Sequence, residues 1–258
     1  MSDWDRVQYA RFAGARGRPF RDLLAQVDAV DPRTVVDLGC GSGELTATLA
    51  ERWPGAEVVG VDSSPDMVTG ARALPAALAG RLTVEEADLR AWVAHRAPGS
   101  CDVVVSNAAL QWVPDHLGLL PALVDLLAPG GRLAVQIPGN HDAPSHRILR
   151  ELAGRYGVPE AARRPAVPGP DDYLGVLGRL GCAVDAWETT YLHVLSGPDP
   201  VWEWVRGTGA RPLLHALPDG RREEFAEEYR ARLREAYPAE AWGTVLPFRR
   251  VFAVAVRR

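Results

Sequence analysis

Three glycines at every second position follow a strand-like apolar run in the segment VVDLGCGSGE, residues 35–44. Glycine permits a positive φ angle and a close approach of the backbone to a ligand, although ordering it costs chain entropy. A buried strand, a glycine turn and the start of a helix together predict a ligand-binding loop in an α/β protein. The acidic residue Asp37 stands two positions before the first of these glycines.

Strand-like and helix-like segments alternate over the first 140 residues. Strands that are apolar on both faces and separated by helices indicate a parallel sheet that is covered on both sides. Apolar strands are predicted at residues 34–39, 56–62, 81–88, 101–108 and 132–138. The intervening helices include one predicted at 116–131. Beyond these elements, the pattern predicts helices over 143–181 and 198–237, a long strand at 182–195 and a final strand at 248–258.

The composition limits the partners that this chain can have. Its 258 residues carry a net charge of −4, which gives no electrostatic footprint for nucleic acid or an anionic membrane. The basic side chains other than histidine are all arginines, which bind carboxylates through a fork of parallel hydrogen bonds. The three cysteines have no CxxC spacing, so neither a metal site nor a disulfide framework is predicted, and a cytoplasmic location is favoured. The charged amino-terminal residues and the lack of a long apolar stretch predict neither a signal peptide nor a membrane span.

The spacing of the glycines separates two kinds of nucleotide site. A dinucleotide loop needs G-x-G-x-x-G, whereas Gly43 stands one residue early and Glu44 places a negative charge where a pyrophosphate would bind. The pattern of Asp37 followed by G-x-G-x-G instead fits a ligand that carries an ammonium, a carboxylate and a sulfonium. Asp37 is then placed to contact the ligand's amino group. An NAD-dependent oxidoreductase is the second interpretation of this loop as part of an enzyme.

Two further acidic residues follow the next two predicted strands. Asp62 ends the second strand, where a carboxylate accepts both hydroxyls of a ribose. Asp88 follows the third strand and is placed to accept from an adenine amino group, beside the backbone N–H of Leu89. The ordinary role of such an aspartate is to cap a helix. Since ligands of open α/β sheets bind outside the carboxyl ends of the strands, three acidic residues at three such ends favour the ligand.

From residue 33 to about 138, the chain resembles the class I S-adenosylmethionine-dependent methyltransferases. The segments VVDLGCGSG, VVGVDSSPDMV, EEADLR, VVVSNAALQWV and LAPGGRLAVQIP carry this resemblance in the order and spacing of the family. It implies an α/β, Rossmann-like fold with a mostly parallel seven-stranded sheet, helices on both faces and a helical cap. It also implies S-adenosylmethionine as cofactor, released as S-adenosylhomocysteine. The implied cofactor-binding residues are Asp37, Gly39, Gly41, Gly43, Asp62, Ser63, Met67, Asp88, Leu89, Asn107, Ala108 and Trp112.

Over its whole length, the chain is similar to the trans-aconitate 2-methyltransferases, which form a monomethyl ester on a small unsaturated tricarboxylate. MSDW at the start, SNAALQWVPDH, LAVQIPGN, GCAVDAWETTYLHVL, GTGARP and the closing RRVF carry this similarity. The family usually has a proline before its final arginine, whereas this chain has Arg249, so Arg250 is the matched position. Another small carboxylic acid or natural product is the alternative acceptor. The implied substrate-binding residues are Tyr9, Arg16, Asn140, His193, Arg211 and Arg250.

A carboxylate acceptor sets the chemistry that the protein must supply. Because a carboxylate is ionised at neutral pH, it needs no general base, and no catalytic residue or metal is predicted. The protein must instead orient the acid and exclude water, with arginines on the carboxylates that do not react. A nucleic-acid methyltransferase is disfavoured because NAAL stands where such enzymes have N-P-P-aromatic. A module that binds the cofactor without catalysis stays open, because the acidic residues bind rather than react.

We predict a single methyltransferase domain over residues 1–258. Its expected partner is a small carboxylic acid, with no nucleic acid, no membrane and no obligate protein partner. The domain is expected to comprise an amino-terminal arm or lid at 1–30, a cofactor-binding core at 31–142, helical insertions at 143–181 and 196–245 that form a substrate cap, and last strands at 182–195 and 246–258.

Overall fold

The computed structural model describes residues 13–74, 80, 82–162, 167–207 and 209–258. The chain divides into two compact units, which we call the sheet unit and the helical unit. The sheet unit is formed by the described parts of Arg16–Pro138, Pro168–Glu188 and Arg250–Arg258. The helical unit is formed by the described parts of Met1–Ala15, Gly139–Val167 and Thr189–Arg249.

A mostly parallel sheet runs in the order β3-β2-β1-β4-β5-β8-β6, and the short β7 pairs with β8. Strands β1 to β5 pair in parallel, whereas β8 lies antiparallel to β5. The strands are β1 (Thr34–Leu38), β2 (Glu57–Asp62), β3 (Leu82–Glu86), β4 (Cys101–Asn107), β5 (Leu127–Pro138), β6 (Ala183–Leu195), β7 (Ala239–Glu240) and β8 (Gly243–Val256). The prediction of a mostly parallel sheet with helices between its strands is confirmed.

The helices alternate with the strands as the sequence pattern predicts. They are α1 (Ala13–Ala25), α2 (Glu44–Arg52), α3 (Pro65–Arg72), α4 (Leu89–Ala94), α5 (Leu120–Leu126), α6 (Pro144–Arg155), α7 (Pro170–Arg179), α8 (Pro200–Arg206), α9 (Arg211–Ala216) and α10 (Asp219–Ala236). Short 3-10 helices lie at Leu110–Trp112, His116–Leu119 and Pro159–Ala162. None of the described helices combines the length and apolar character that a membrane span requires.

The core of the sheet unit is built from β-branched strand residues and the leucines of the covering helices. Val103, Val104 and Val105 of β4 have no exposed surface, and neither do Leu120 and Leu123 of α5. Burial of such side chains is worth roughly 1.5–3 kcal/mol each, so β4 anchors the centre of the sheet. The carboxyl end of β4, at Asn107, is thereby held on a rigid support.

The prediction of a helix over 116–131 was wrong for residues 127–131. Helix α5 ends at Leu126, and β5 begins at Leu127. Gly130 has a φ angle of 76°, and its backbone nitrogen donates to the carbonyl of Arg257 at 2.8 Å. The Arg257 nitrogen in turn donates to the Gly131 carbonyl at 3.0 Å. Pairing with the end of the chain therefore replaces the helical hydrogen bonds that the local pattern favours.

The helical unit has its own core, formed by α6, α8, α9 and α10. Leu152, Phe225 and Tyr229 of this cluster have no exposed surface. The buried hydroxyl of Tyr229 donates to the Ser145 carbonyl at 2.8 Å, which ties α10 to the start of α6. The helical segments predicted at 143–181 and 198–237 are thus confirmed, although α7 belongs to the sheet unit.

Candidate active site

The glycine loop between β1 and α2 takes a backbone course that only glycine tolerates well. Gly39 has a φ angle of 84°, and a Cβ atom there would lie 2.1 Å from the Cβ of Ala109. Gly41 has a φ angle of 56° and faces open space, with no heavy atom within 4 Å of a Cβ. At Gly43 a Cβ would meet Ala71 at 2.9 Å. Gly39 and Gly43 therefore allow close packing, whereas Gly41 exposes the backbone at the carboxyl end of β1.

The carboxylate of Asp62 holds the tip of this loop. Its Oδ2 atom accepts from the backbone nitrogen of Gly41 at 2.9 Å, and its Oδ1 atom accepts from the nitrogen of Ser64 at 2.9 Å. Asp62 is the last residue of β2 and is half-buried. An ionised carboxylate has about four acceptor positions, so Asp62 keeps capacity for two hydroxyl donors.

Asp37 lies inside β1 rather than after it and is only 3% exposed. Its Oδ2 atom accepts from the hydroxyl of Thr46 at 2.7 Å. Burial raises the pKa of this carboxyl to about 6, with the charge of Asp62 adding to the increase and the bond from Thr46 opposing it. A buried carboxylate that only accepts hydrogen bonds is suited to a cationic group. Burial also raises the pKa of the neighbouring Cys40 thiol, so this cysteine is not a nucleophile at neutral pH.

Asp88 performs the capping role that stood as the alternative to ligand binding. It precedes α4, and its Oδ1 atom accepts from the nitrogen of Ala91 at 3.0 Å. Asp88 is exposed, whereas Leu89, the first residue of α4, is buried. One carboxylate oxygen completes the cap, so the cap does not exhaust the acceptor capacity of Asp88. Of the other residues expected here, Ser63 is exposed and Met67 of α3 is half-buried.

The end of β4 carries buried polar atoms and a strained backbone. Ala108 has a φ angle of 55°, which is costly for a residue with a side chain, and its nitrogen donates to the Gln136 carbonyl at 2.8 Å. Among the described residues, neither Oδ1 of Asn107 nor Oε1 of Gln111 has a hydrogen-bond partner, although both atoms are buried. Backbone strain and unsatisfied acceptors mark this turn as a candidate ligand contact. The side chain of Trp112 is 56% exposed.

Arg250 and Gln136 form a polar pair in the sheet unit, on the far side of β4 from β1. In the β5–β8 register, Arg250 lies opposite Pro138, and Gln136 neighbours Asn107 across the β4–β5 ladder. The Nη1 atom of Arg250 donates to Oε1 of Gln136 at 3.4 Å. Arg250 is 6% exposed and Gln136 is fully buried. The pair thus places nitrogen donors beside the end of β4, where acceptors predominate.

The remaining substrate candidates belong to the helical unit or lie outside the described residues. Asn140 and His193 belong to the helical unit, as does Arg211, the first residue of α9. Oδ1 of Asn140 accepts from the nitrogen of Arg249 at 2.8 Å, and the His193 ring, within β6, stacks on Trp204 at 4.8 Å. Tyr9 and the side chain of Arg16 lie outside the described part of the chain.

Gln136 is a site candidate that the sequence motifs did not identify. Gln136 stands among apolar residues in LAVQIP, and a polar residue within a buried strand is the signal that points to it.

The strand order, the glycine loop and the acidic residues at the ends of β1 and β2 together define the Rossmann-like fold of the class I methyltransferases. A family model described as "Methyltransferase domain" matches residues 35–131. The chain resembles the YcgJ protein of Bacillus subtilis, with a TM-score of 0.59 at 14% identity over 93% of this chain and 98% of that one. A geranyl diphosphate methyltransferase in complex with S-adenosylmethionine matches with a TM-score of 0.56 at 18% identity, over 97% and 89%. These structures support the fold alone.

Curated relatives cover almost the whole chain. It is 53% identical over 264 residues to the trans-aconitate 2-methyltransferase of Streptomyces avermitilis, with 99% of this chain and 97% of the relative covered. It is 50% identical over 259 residues to that of Rhodococcus jostii, with 98% of each covered. The chain therefore belongs to the trans-aconitate 2-methyltransferase family. It is a methyltransferase, as the first interpretation of the glycine loop predicts, and not an NAD-dependent oxidoreductase.

Proposed function

We propose that this chain transfers a methyl group from S-adenosylmethionine to a carboxylate of trans-aconitate and forms its monomethyl ester. The observation that carries the proposal is the buried Arg250, which contacts Gln136 beside the end of β4. An arginine at this position supplies the donors that an anionic acid requires. The full-length similarity to relatives named for trans-aconitate supports the choice of acid.

The residues at the ends of β1, β2 and β4 fit the cofactor. Asp37 and Oδ1 of Asn107 are buried acceptors suited to its ammonium group, and Gly41 leaves room for its amino-acid portion. Asp62 retains acceptor capacity for the ribose hydroxyls, and Asp88 for the adenine amino group. When bound, S-adenosylmethionine supplies an activated methyl group on a sulfonium. The side chains that would hold it thus present mainly acceptors.

The acid is assigned to the opposite side of β4 because the polarity of the side chains changes there. Acceptors predominate at β1, β2 and β4, whereas Arg250 of β8 and the amide nitrogen of Gln136 of β5 are donors. This division matches a cationic cofactor and an anionic substrate on the two sides of β4. Burial of Arg250 strengthens its attraction for a carboxylate, since the surrounding dielectric constant is low.

The protein's contribution to the reaction is orientation and the exclusion of water. The acceptor carboxylate is already ionised at neutral pH, so no side chain needs to remove a proton. Fixing it in line with the methyl group is worth several kcal/mol, of the order that well-oriented intramolecular reactions gain. Arg250 is assigned to a carboxylate that does not react, because a strong hydrogen bond to the reacting oxygen would lower its nucleophilicity.

The other residues expected at the site stay predictions. On the cofactor side these are Gly39, Gly43, Ser63, Met67, Leu89, Ala108 and Trp112. On the substrate side these are Tyr9, Arg16, Asn140, His193 and Arg211. A cytoplasmic location, the lack of an obligate protein partner and the single-domain organisation with its arm and cap also stay predictions.

The experiment is turnover of methyl-labelled S-adenosylmethionine with trans-aconitate and a panel of other small carboxylic acids. We expect a monomethyl ester of trans-aconitate, located by mass spectrometry, at a higher kcat/KM than for any other acid. Arg250→Ala should raise KM for the acid strongly and leave affinity for S-adenosylhomocysteine unchanged, whereas the exposed Arg258→Ala serves as control. Cofactor binding without methylation of any acid would instead indicate a binding module and overturn the proposal.

A further inference from the structure

Gln136 is a buried polar side chain whose hydrogen bonds are only half made. It has no exposed surface and lies in β5, between Asn107 of β4 and Phe252 of β8 in the sheet register. Its Oε1 atom accepts from Nη1 of Arg250 at 3.4 Å, but its Nε2 atom has no hydrogen-bond partner among the described residues. Buried polar groups in native proteins are almost always paired, so this amide nitrogen requires an explanation.

The contact with Arg250 fixes which end of the amide is available. A guanidinium group has five N–H donors and no acceptor, so the side of the amide that meets Arg250 must be its oxygen. The nitrogen, with two N–H donors, is consequently the end that is left for another partner. Gln136 therefore selects for a hydrogen-bond acceptor, such as a carboxylate oxygen, and against a donor.

The sheet register places this donor beside the end of β4. Gln136 and Pro138 are two residues apart in β5 and so lie on the same face of the strand, opposite Phe252 and Arg250 of β8. On the other side, Gln136 neighbours Asn107, whose Oδ1 atom is also buried without a partner. An acceptor and a donor on neighbouring register positions are thus both unsatisfied and do not bond each other. An ammonium of the cofactor at Asn107 and a carboxylate of the acid at Gln136 would together satisfy both atoms.

We propose that Gln136 is a specificity-determining residue for the acid: its amide nitrogen donates to the carboxylate that Arg250 binds, while its amide oxygen positions the guanidinium. This inference rests on the proposed function, since it takes the substrate to be an acid. Arg250 supplies the charge, and Gln136 supplies a second, neutral donor from a different strand. Two donors from two strands fix the carboxylate in place without a second positive charge that would draw in the reacting carboxylate.

The test uses acids that differ by one carboxylate. Removing each carboxylate of trans-aconitate in turn gives itaconate, (Z)-glutaconate and mesaconate. Dissociation constants of the wild type and of Gln136→Met would be measured for all four acids by calorimetry with S-adenosylhomocysteine bound. Methionine keeps the length of the side chain and removes its hydrogen bonds. We expect binding of trans-aconitate and of two dicarboxylates to weaken about 10- to 100-fold, the range of a hydrogen bond to a charged group.

The third dicarboxylate lacks the carboxylate that Arg250 binds. Its dissociation constants for the wild type and for Gln136→Met should therefore agree within about twofold. An equal loss for all four acids would show a structural role, and an unchanged affinity would show no contact; either overturns the proposal. A loss of S-adenosylhomocysteine affinity would overturn it too, because the amide would then contact the cofactor.

The isosteric Gln136→Glu variant tests the orientation of the amide. A glutamate there pairs with Arg250 and replaces the donor by an acceptor, so trans-aconitate should bind more weakly than in Gln136→Met. Wild-type affinity in Gln136→Glu would overturn the proposal, and this variant carries the test if Gln136→Met does not fold. If the wild type methylates no acid, the proposed function fails. If it methylates trans-aconitate but the Gln136 variants bind this acid like the wild type, only this inference fails.

Discussion

The Oδ2 atom of Asp62 accepts a hydrogen bond from the backbone nitrogen of Gly41 at 2.9 Å and thereby joins the end of β2 to the tip of the glycine loop. Asp62→Ala should leave the nitrogens of Gly41 and Ser64 without this acceptor and lower the unfolding free energy by about 1–3 kcal/mol. Affinity for S-adenosylhomocysteine should fall as well, because the loop and the ribose lose the same carboxylate. Chemical denaturation and calorimetry measure the two effects.

Asp66→Ala is the matched control for Asp62, because Asp66 is exposed on α3 close to the same loop. It should leave the affinity for S-adenosylhomocysteine unchanged and lower the unfolding free energy by less than about 1 kcal/mol, the contribution of a carboxylate in the first turn of a helix. A variant of Asp62 that unfolds at a lower denaturant concentration but binds S-adenosylhomocysteine like the wild type would show that this carboxylate only supports the loop.

Two glycines of the same loop should respond differently to a methyl group. Gly39→Ala places Cβ 2.1 Å from the Cβ of Ala109 and keeps a φ angle of 84°, so we expect a loss of about 2–5 kcal/mol in unfolding free energy. The Cβ atom of Gly41→Ala faces open space, so the unfolding free energy should fall only by the cost of a left-handed backbone at alanine, about 1–2 kcal/mol. This variant should nevertheless bind S-adenosylhomocysteine much more weakly. Thermal unfolding and calorimetry of both variants check this. Equal destabilisation would contradict the assignment of Gly39 to packing.

A serine at position 88 separates the two roles that an aspartate can have there. Serine caps helices about as well as aspartate, so Asp88→Ser should keep the stability of α4, whereas Asp88→Ala should lose about 1 kcal/mol. If Asp88 also accepts from the adenine amino group, both variants bind S-adenosylhomocysteine more weakly. In the absence of the ligand, by contrast, only Asp88→Ala should be less stable than the wild type. Unchanged affinity in Asp88→Ser would assign this residue to the cap alone.

The strands that position the cofactor side were predictable because their signal is local. The expected strands at 34–39, 56–62 and 101–108 match β1, β2 and β4 to within one residue at each end. The start of β5 was not predictable in this way. Residues before Gly130 have helical spacing, whereas Leu127 pairs with Cys101 of β4 and the backbone of Gly130 and Gly131 pairs with Arg257, near the end of β8. Both pairings are distant in sequence, so the local pattern does not show them.

The site residues also differ in whether a local sequence signal identifies them. Asp37, Asp62 and the glycines stand in a spacing that only a ligand loop explains, so the sequence is sufficient to nominate them. Asp88 could be nominated but not assigned, because capping and ligand binding use the same residue at the same position. The sequence shows Gln136 only as a polar residue within an apolar strand. Its role follows from its burial and from the direction of its amide, and the latter depends on the pairing of β5 with β8.

The buried carboxyl of Asp37 should make the stability of the ligand-free protein depend on pH. Burial raises its pKa to about 6, well above the usual value of an aspartate, so the folded state holds this proton more tightly than the unfolded state. The stabilisation is complete below about pH 4 and is lost as the pH rises through about 6, at roughly 1.4 kcal/mol per pH unit. Asp37→Asn should therefore gain stability relative to the wild type between pH 4 and 7, as measured by chemical denaturation across that range.

Binding should show the opposite dependence, because the ammonium group of S-adenosylhomocysteine favours ionised Asp37. In the wild type, affinity should increase as the pH rises from about 5 to 7, through the raised pKa of Asp37, with release of a proton on binding. In Asp37→Asn, affinity should be lower at pH 7 and nearly independent of pH over this range. Calorimetry in two buffers of different ionisation enthalpy counts the released proton. Parallel pH profiles of affinity for the two proteins would show that Asp37 does not bind the ammonium. The buried oxygens of Asn107 and Gln111, which do not titrate, would then be the acceptors to substitute.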